Sequence, residues 1–201
     1  MRESYKTISR KSDGLYKEKG SKFIGLAFPV VDEESVKVNL EAVRKQFYDA
    51  RHHCYAYVLG HNYEHFRAND DGEPNHSAGD PILGQIRSKD LTNTLVVVVR
   101  YFGGTKLGVG GLINAYKTAT EEALVANSII EVSNTEPLKI RFAYDVTNEV
   151  MRLVNEFELE IVEQKYETDC SFSVNVKIGL IDQVREKLQL LKDMRLDVNF
   201  K

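Results

Sequence analysis

The run Leu95-Val96-Val97-Val98-Val99 is apolar at every position, so a strand built from it shows hydrophobic side chains to both faces of its sheet. Such a strand has to be covered on both sides. That places it in the middle of a sheet flanked by helices and makes the surrounding domain mixed in class. It leads directly into Arg100-Tyr101-Phe102-Gly103-Gly104-Thr105-Lys106-Leu107-Gly108-Val109-Gly110-Gly111, with five glycines in nine residues, and then into a helix-like segment from Leu112 to Asn127. The glycines let the backbone turn sharply and come close to another group with no Cβ in the way. A glycine loop running into a helix also offers unpaired N–H groups to an anion. Arg100 and Lys106 would add two positive charges, so the loop is a candidate anion site.

The rest of the first half reads around this strand. The residues before Lys22 are an N-terminal extension. Lys22 to Val31 reads as a strand, Asp32 as an N-cap, and Val36, Leu40, Val43 and Phe47 as one helical face. His53 to Leu59 is a second strand with His53, Tyr55, Tyr57 and Leu59 on one face, and Tyr63 to Ala68 is its expected hairpin partner. Asn69 to Asp80 is a polar loop, after which Pro81 suits the first turn of a short helix ending near Lys89.

The pattern pauses over Ser128 to Glu136 and a second unit follows. Leu138, Ile140, Phe142, Tyr144 and Val146 alternate as a strand, and Val150, Leu153, Val154 and Phe157 share a helical face. Glu160 to Glu167 and Cys170 to Ile178 give two more strands with a turn near Thr168-Asp169. Ile181, Val184, Leu188 and Leu191 form a second helix, and Leu196, Val198 and Phe200 a last strand. The order βαββαβ is the ferredoxin-like arrangement. The reading is thus an α+β chain with domains over residues 1–130 and 137–201.

Composition narrows the function classes. With 42% hydrophobic and 28% charged residues, the chain of 201 residues has the balance of an ordinary globular protein. It holds no apolar run near the ~20 residues that span a bilayer, and the first ten residues lack a signal peptide's apolar core. A cytoplasmic protein without membrane contact is expected. Cys54 and Cys170, far apart in sequence, read as packed thiols rather than a disulfide framework. The formal net charge of −3 argues against a generally basic nucleic-acid binder, yet residues 1–22 carry seven Lys/Arg against three Asp/Glu, a local basic stretch that includes Lys19 and Lys22.

The glycine loop follows neither standard phosphate motif. It lacks the dinucleotide fingerprint's spacing and its acidic partner, and Lys106 precedes Gly108 where a P-loop would end in Gly-Lys-Ser/Thr. A tight turn needing glycine only for its backbone angles is the alternative. A second cluster, Asn69-Asp70-Asp71-Gly72-Glu73-Pro74, puts three carboxylates within four residues, which suits oxygen ligation of a divalent cation, acid–base work, or simply a solvated turn. All five histidines fall between positions 52 and 76, but His52 and His53 are adjacent on a strand and point apart, so a transition-metal site is not expected. For the same reason His53 is poorly placed to activate Cys54. Tyr101 and Phe102, beside the loop, are the aromatics best placed to stack on bases.

Together these segments resemble the IMPACT/YigZ family. The resemblance rests on Lys19-Gly20-Ser21-Lys22-Phe23-Ile24, on Ala50-Arg51-His52-His53-Cys54-Tyr55-Ala56-Tyr57, on Asp70-Asp71-Gly72-Glu73-Pro74 with Ala78-Gly79 and Pro81-Ile82-Leu83, and on Val98 to Gly108. It covers residues 1–127, and departs from the family pattern at Asn75-His76-Ser77, where small residues are expected. It implies an N-terminal α/β domain of the ribosomal-protein/GHMP-kinase-like type and a ferredoxin-like C-terminal domain resembling the last domain of elongation factor G. Eukaryotic members regulate translation.

The leading expectation is therefore a non-catalytic RNA- or ribosome-binding factor linked to regulation of translation and needing no cofactor. Arg100, Tyr101, Gly103, Gly104, Lys106, Gly108, Gly110 and Gly111 would contact phosphate, helped by Lys19 and Lys22. His53, Asp70, Asp71 and Glu73 would supply the second loop of that site. The rival is an enzyme in which the carboxylates hold Mg²⁺ and the glycine loop takes a phosphorylated or acidic small molecule. A third reading is a protein partner docked on the C-terminal sheet, which requires an exposed apolar sheet face.

Overall fold

The computed structural model describes residues 2–167 and 169–201, which divide into two compact units, Arg2–Val132 and Ser133–Lys201. In the first unit the strands are β1 (Ser4–Ile8), β2 (Ser12–Glu18), β3 (Ser21–Pro29), β4 (His52–Leu59), β5 (His65–Asn69), β6 (Thr94–Tyr101) and β7 (Ile129–Ser133); the helices are α1 (Glu33–Gln46), α2 (Gly79–Ser88) and α3 (Gly108–Val125). Strands β2-β3-β6-β4-β5 make one antiparallel sheet, and β1 pairs with β7 in a separate ribbon.

The central strand is β6, as its unbroken apolar run requires. Leu95, Val97 and Val99 pack under α1 with Leu26, Tyr55, Tyr57, Val36 and Val43. Val96 and Val98 face the other way, into a core made with Ile82 and Ile86 of α2 and Ala115, Tyr116 and Ala119 of α3. Helix α1 starts where a reciprocal cap fixes it: Asp32 accepts the Ser35 N–H at 2.7 Å and Ser35 Oγ accepts the Asp32 N–H at 3.2 Å. Helix α3 lies so close to β3 that a Cβ on Gly25 would sit 2.2 Å from the Ala119 carbonyl oxygen.

Four features of the first unit depart from the sequence reading. The N-terminal extension is not structureless: it supplies β1 and β2. The pause after Asn127 holds β7, and the β4 hairpin partner runs over His65–Asn69 rather than Tyr63 to Ala68. Most consequential, α3 begins at Gly108, so Gly108, Gly110 and Gly111 belong to its first turn and the loop proper shrinks to residues 102–107.

The second unit consists of β8 (Thr135–Phe142), α4 (Thr147–Glu156), β9 (Glu160–Tyr166), β10 (Cys170–Lys177), α5 (Ile181–Asp193) and β11 (Val198–Phe200), with sheet order β11-β8-β10-β9, antiparallel throughout. The expected turn near Thr168-Asp169 falls partly on Thr168, outside the described residues. Strict alternation decides the packing: Leu138, Ile140, Phe142, Phe172, Val174 and Val176 face α4 and α5, where they meet Val150, Val184 and Leu188. Phe142 and Phe172 pack edge to face at 4.9 Å. The opposite sheet face, on which protein docking would need apolar side chains, is occupied mostly by Lys139, Arg141, Ser171, Ser173 and Lys165.

Candidate functional site

Strand alternation decides where Arg100 points. It follows Val96 and Val98 on the α2/α3 side of β6, so its side chain turns inward and is only 8% exposed. A buried guanidinium needs a counter-charge, and Glu73 provides it: Arg100 Nη1 donates to Glu73 Oε1 at 2.5 Å. The same oxygen accepts the Tyr116 hydroxyl at 2.8 Å. The guanidinium lies 5.4 Å from the Phe23 ring centre and 5.6 Å from that of Phe102, while its buried Nε–H has no partner among the described residues. The Arg100 charge expected at the surface is therefore compensated inside, and the acidic loop and the end of β6 meet through Glu73.

Beneath this pair, the Cys54 thiol sits 3.0 Å from the Asp70 carbonyl oxygen and 3.3 Å from the Tyr116 hydroxyl. Burial, joined by the charges of Glu73, Asp71 and Asp70 and opposed by the Tyr116 contact, pushes the Cys54 thiol far above its ordinary pKa. Burial also raises the Tyr116 hydroxyl, with the Cys54 thiol and Glu73 adding to it. Both shifts favour the protonated forms, in which Tyr116 donates to Glu73 and Cys54 is a buried, packed thiol.

The other two carboxylates of the acidic loop organise backbone. Asp70 Oδ1 accepts the N–H groups of Ala78 and Gly79 at 2.9 and 2.8 Å, fixing the start of α2, and its Oδ2 accepts the His76 N–H at 2.9 Å. Burial works against the ionised form, but these N–H donors outweigh it and hold the Asp70 carboxyl below the usual aspartate value. Asp71, at a positive φ of 43°, accepts the His53 backbone N–H at 2.7 Å. The His53 side chain lies on the α1 side of the sheet, 3.0 Å from the Phe47 carbonyl oxygen. His53 therefore joins the loop through its backbone N–H and through Nδ1, 3.9 Å from Asp71 Oδ2, with its ring on the sheet face away from Arg100 and Glu73.

Mg²⁺ would need several oxygens converging on one point. Here Asp70 is spent on backbone amides, Asp71 on His53, and Glu73 on Arg100 and Tyr116, and among the described residues no group of three or more His, Cys, Asp or Glu is arranged to hold a metal ion. This donor set does not fit the ion.

The glycine segment is built in two parts. Gly103 touches the hairpin turn between β2 and β3: its N–H donates to Ser21 Oγ at 3.0 Å, and a Cβ there would lie 1.9 Å from the Gly20 carbonyl carbon. That turn carries Lys19, and Lys22 follows it opposite Tyr101 in the sheet. Lys19, Lys22 and Lys106 are all exposed near the loop. Beyond Gly103 the surroundings open. Nothing lies within 4 Å of a Cβ built on Gly104, Gly108 or Gly110, although Gly104 and Gly108 need glycine for φ of +90° and +73°. Helix α3 has no side-chain N-cap and no acidic residue in its first turn, so its N-terminal N–H groups face outward with the positive end of the helix dipole. Phe102 is 57% exposed beside this surface, whereas the Tyr101 hydroxyl is tied to Asp49 at 2.7 Å.

Sequence reasoning missed Tyr116. The available signal was its position among Ala115, Ala119 and Ala123 on a buried helix face, where a tyrosine hydroxyl needs a partner.

An antiparallel sheet covered on both faces, with an acidic loop pinned to a glycine turn by a buried Arg–Glu–Tyr cluster, defines the class of this domain. The Impact N-terminal domain family matches residues 19–124. YvyE of Bacillus subtilis is 32% identical over 177 residues, spanning 88% of this chain and 82% of the relative, and YigZ of Escherichia coli is 30% identical over 172 residues, spanning 85% and 84%. A Thermus thermophilus family member is 45% identical over 104 residues, 52% of this chain and 55% of its own length. The crystal structure of a hypothetical protein superposes with a TM-score of 0.76 at 26% identity, covering 100% of this chain and 97% of its own. The chain belongs to the IMPACT family.

Proposed function

We propose that this protein is a cytoplasmic RNA- or ribosome-binding factor linked to regulation of translation, with its site at the start of α3. The family resemblance supports the link to translation. The N-terminal N–H groups of Gly108, Val109 and Gly110, together with Lys106, contact a backbone phosphate, and Lys19 and Lys22 extend the positive surface. Gly103 positions the turn against Gly20. Arg100 and Glu73 hold the turn from below and do not touch the ligand. The ferredoxin-like reading of the second unit and the domain limits near residues 130 and 137 belong to the same proposal.

The observation that carries this reading is the uncapped, acid-free first turn of α3 with open space over Gly104, Gly108 and Gly110. The donor set favours no Mg²⁺-dependent enzyme, so that alternative gains no specific support. The test is a binding titration against ribosomes and RNA at several salt concentrations. Lys106→Ala is expected to flatten the dependence of log affinity on log salt by about 0.7–0.9, one phosphate contact, with an unchanged melting temperature. Binding equal to wild type at every salt concentration would remove the loop from the interface.

A further inference from the structure

The second unit carries a charge pattern that its packing does not explain. On the sheet face away from α4 and α5, alternation lines up Lys139 and Arg141 of β8, Lys165 of β9 and Lys177 of β10, with Lys201 just beyond β11. Lys201 exchanges both backbone hydrogen bonds with Lys139, at 3.0 and 3.1 Å, so these two side chains are direct neighbours on the same face. Arg141 and Lys165 flank Ser171 in a second row. Like charges set directly opposite cost stability, and the fold bears that cost here while the whole chain is net negative at −3. Within the strands of this face Glu163 pairs with Lys165 at 3.0 Å and Glu160 accepts from the Asn175 amide at 3.0 Å, while Glu167 and Asp197 stand just beyond the ends of β9 and β11. Lys139, Arg141, Asn199, Phe200 and Lys201 line one shallow depression, with Phe200 partly buried against the helix-side core.

We propose that this face is a second RNA-binding surface, taking the sugar–phosphate backbone of a double-helical segment across β11, β8 and β10. Its chemistry selects the occupant. A protein partner needs apolar or aromatic anchors seated in pockets, and the exposed apolar side chains of this face are Pro137 and, at the β9 bulge, Val162. Unpaired bases need aromatic platforms; Tyr166 and Phe172, the aromatics of β9 and β10, pack together on the helix side. What remains is a lattice of cations with serine and asparagine donors between them, which suits phosphate oxygens and the 2′-hydroxyls of a shallow minor groove. Naming RNA rather than DNA rests on the translation-linked reading above; the cation lattice itself does not.

The test uses the full chain and fluorescence anisotropy with a 20-base-pair RNA duplex, the matching DNA duplex, and a poly-glutamate peptide. The triple variant Lys139→Ala/Arg141→Ala/Lys201→Ala changes only exposed side chains, and its circular dichroism melt is expected to match wild type. For the RNA duplex, the slope of log affinity against log salt should shrink by about 2.7, three phosphate contacts at about 0.9 each, and Lys106→Ala should leave that loss intact. An unchanged slope in the triple variant overturns the proposal. So does tighter binding to DNA than to RNA, or a cation-dependent preference for poly-glutamate, which would make the face a docking site for acidic protein. Loss with Lys106→Ala but not with the triple variant sinks this surface and spares the α3 site; the reverse result supports this surface and sinks the other.

Discussion

Replacing Glu73 with alanine would leave the Arg100 guanidinium buried without a counter-charge and remove the acceptor of the Tyr116 hydroxyl in the same step. Breaking one partner of a buried ion pair costs about 3–5 kcal/mol, because the surviving charge keeps its desolvation penalty and loses its compensation. Among the described residues Nε of Arg100 has no partner either, so the guanidinium is under-satisfied even before Glu73 is removed. With a urea slope of about 2 kcal/mol/M for a unit of this size, the unfolding midpoint of the first unit should fall by about 2 M. The chain has no tryptophan, so hydrogen exchange read on peptides from β6 and α3 through a urea series is the suitable assay. It also separates this unit from the second. Glu73→Gln keeps an acceptor but not the charge and should lie between wild type and Glu73→Ala. The triple change Glu73→Leu/Arg100→Met/Tyr116→Phe removes every buried polar member at once and should recover most of the loss. A midpoint shift under about 0.5 M for Glu73→Ala, or a triple variant as unstable as the single one, would refute the claim that Glu73 compensates Arg100.

Three further outcomes follow from the same geometry. Gly110→Ala should raise stability by about 0.5–1 kcal/mol, as glycine-to-alanine changes do inside helices, yet weaken RNA binding; Gly84→Ala in α2, equally unobstructed, should raise stability in thermal melts and leave binding alone. The Asp70 carboxyl is depressed in the folded state, so its contribution is fully present above the ordinary aspartate pKa of about 4 and is lost as pH falls through the lower folded value. In urea melts, wild type should therefore be more stable than Asp70→Asn at neutral pH, and the gap should close in acid. Cys54 and Cys170 are both buried, so a water-soluble thiol reagent should modify neither in native protein and both in urea; labelling of native Cys54 would contradict its raised thiol pKa.

What the sequence made legible is what local periodicity encodes. The run Leu95 to Val99 announced a strand covered on both faces, Asp32 announced the start of α1, and the alternation from Leu138 to Val146 and over Cys170 to Ile178 announced the second unit, although β8 stops at Phe142 with Tyr144–Val146 in a 3-10 turn, and β10 stops at Lys177. Strands β1 and β7 carry no such signal, because Ser4–Ile8 and Ile129–Ser133 form their ribbon with each other, about as far apart as the first unit allows. The start of α3 was hidden for another reason. Glycines read as loop by propensity, yet the burial of Leu112, Ala115 and Tyr116 carries the helix back to Gly108. The inward turn of Arg100 follows from alternation with Val96 and Val98. That its partner would be Glu73, 27 residues earlier, depends on how the acidic loop folds around Asp70.

The glycines of the loop separate once each is asked what its own fold requires of it. Gly103 is fixed by contact with Gly20, and Gly104 and Gly108 by positive φ, so these would be glycine in a protein that bound nothing. Gly110 meets neither demand. Gly84 is just as free, but it lies inside α2, where its N–H can be satisfied within the helix. Gly110 is the third residue of α3, among N–H groups that have no partner inside their own helix. A side chain there would cost the fold nothing and would stand over those donors. Under the proposed reading Gly110 keeps the helix end accessible, and the inward Arg100 and outward Lys106 divide the work: one charge holds the turn in place, the other would meet the ligand.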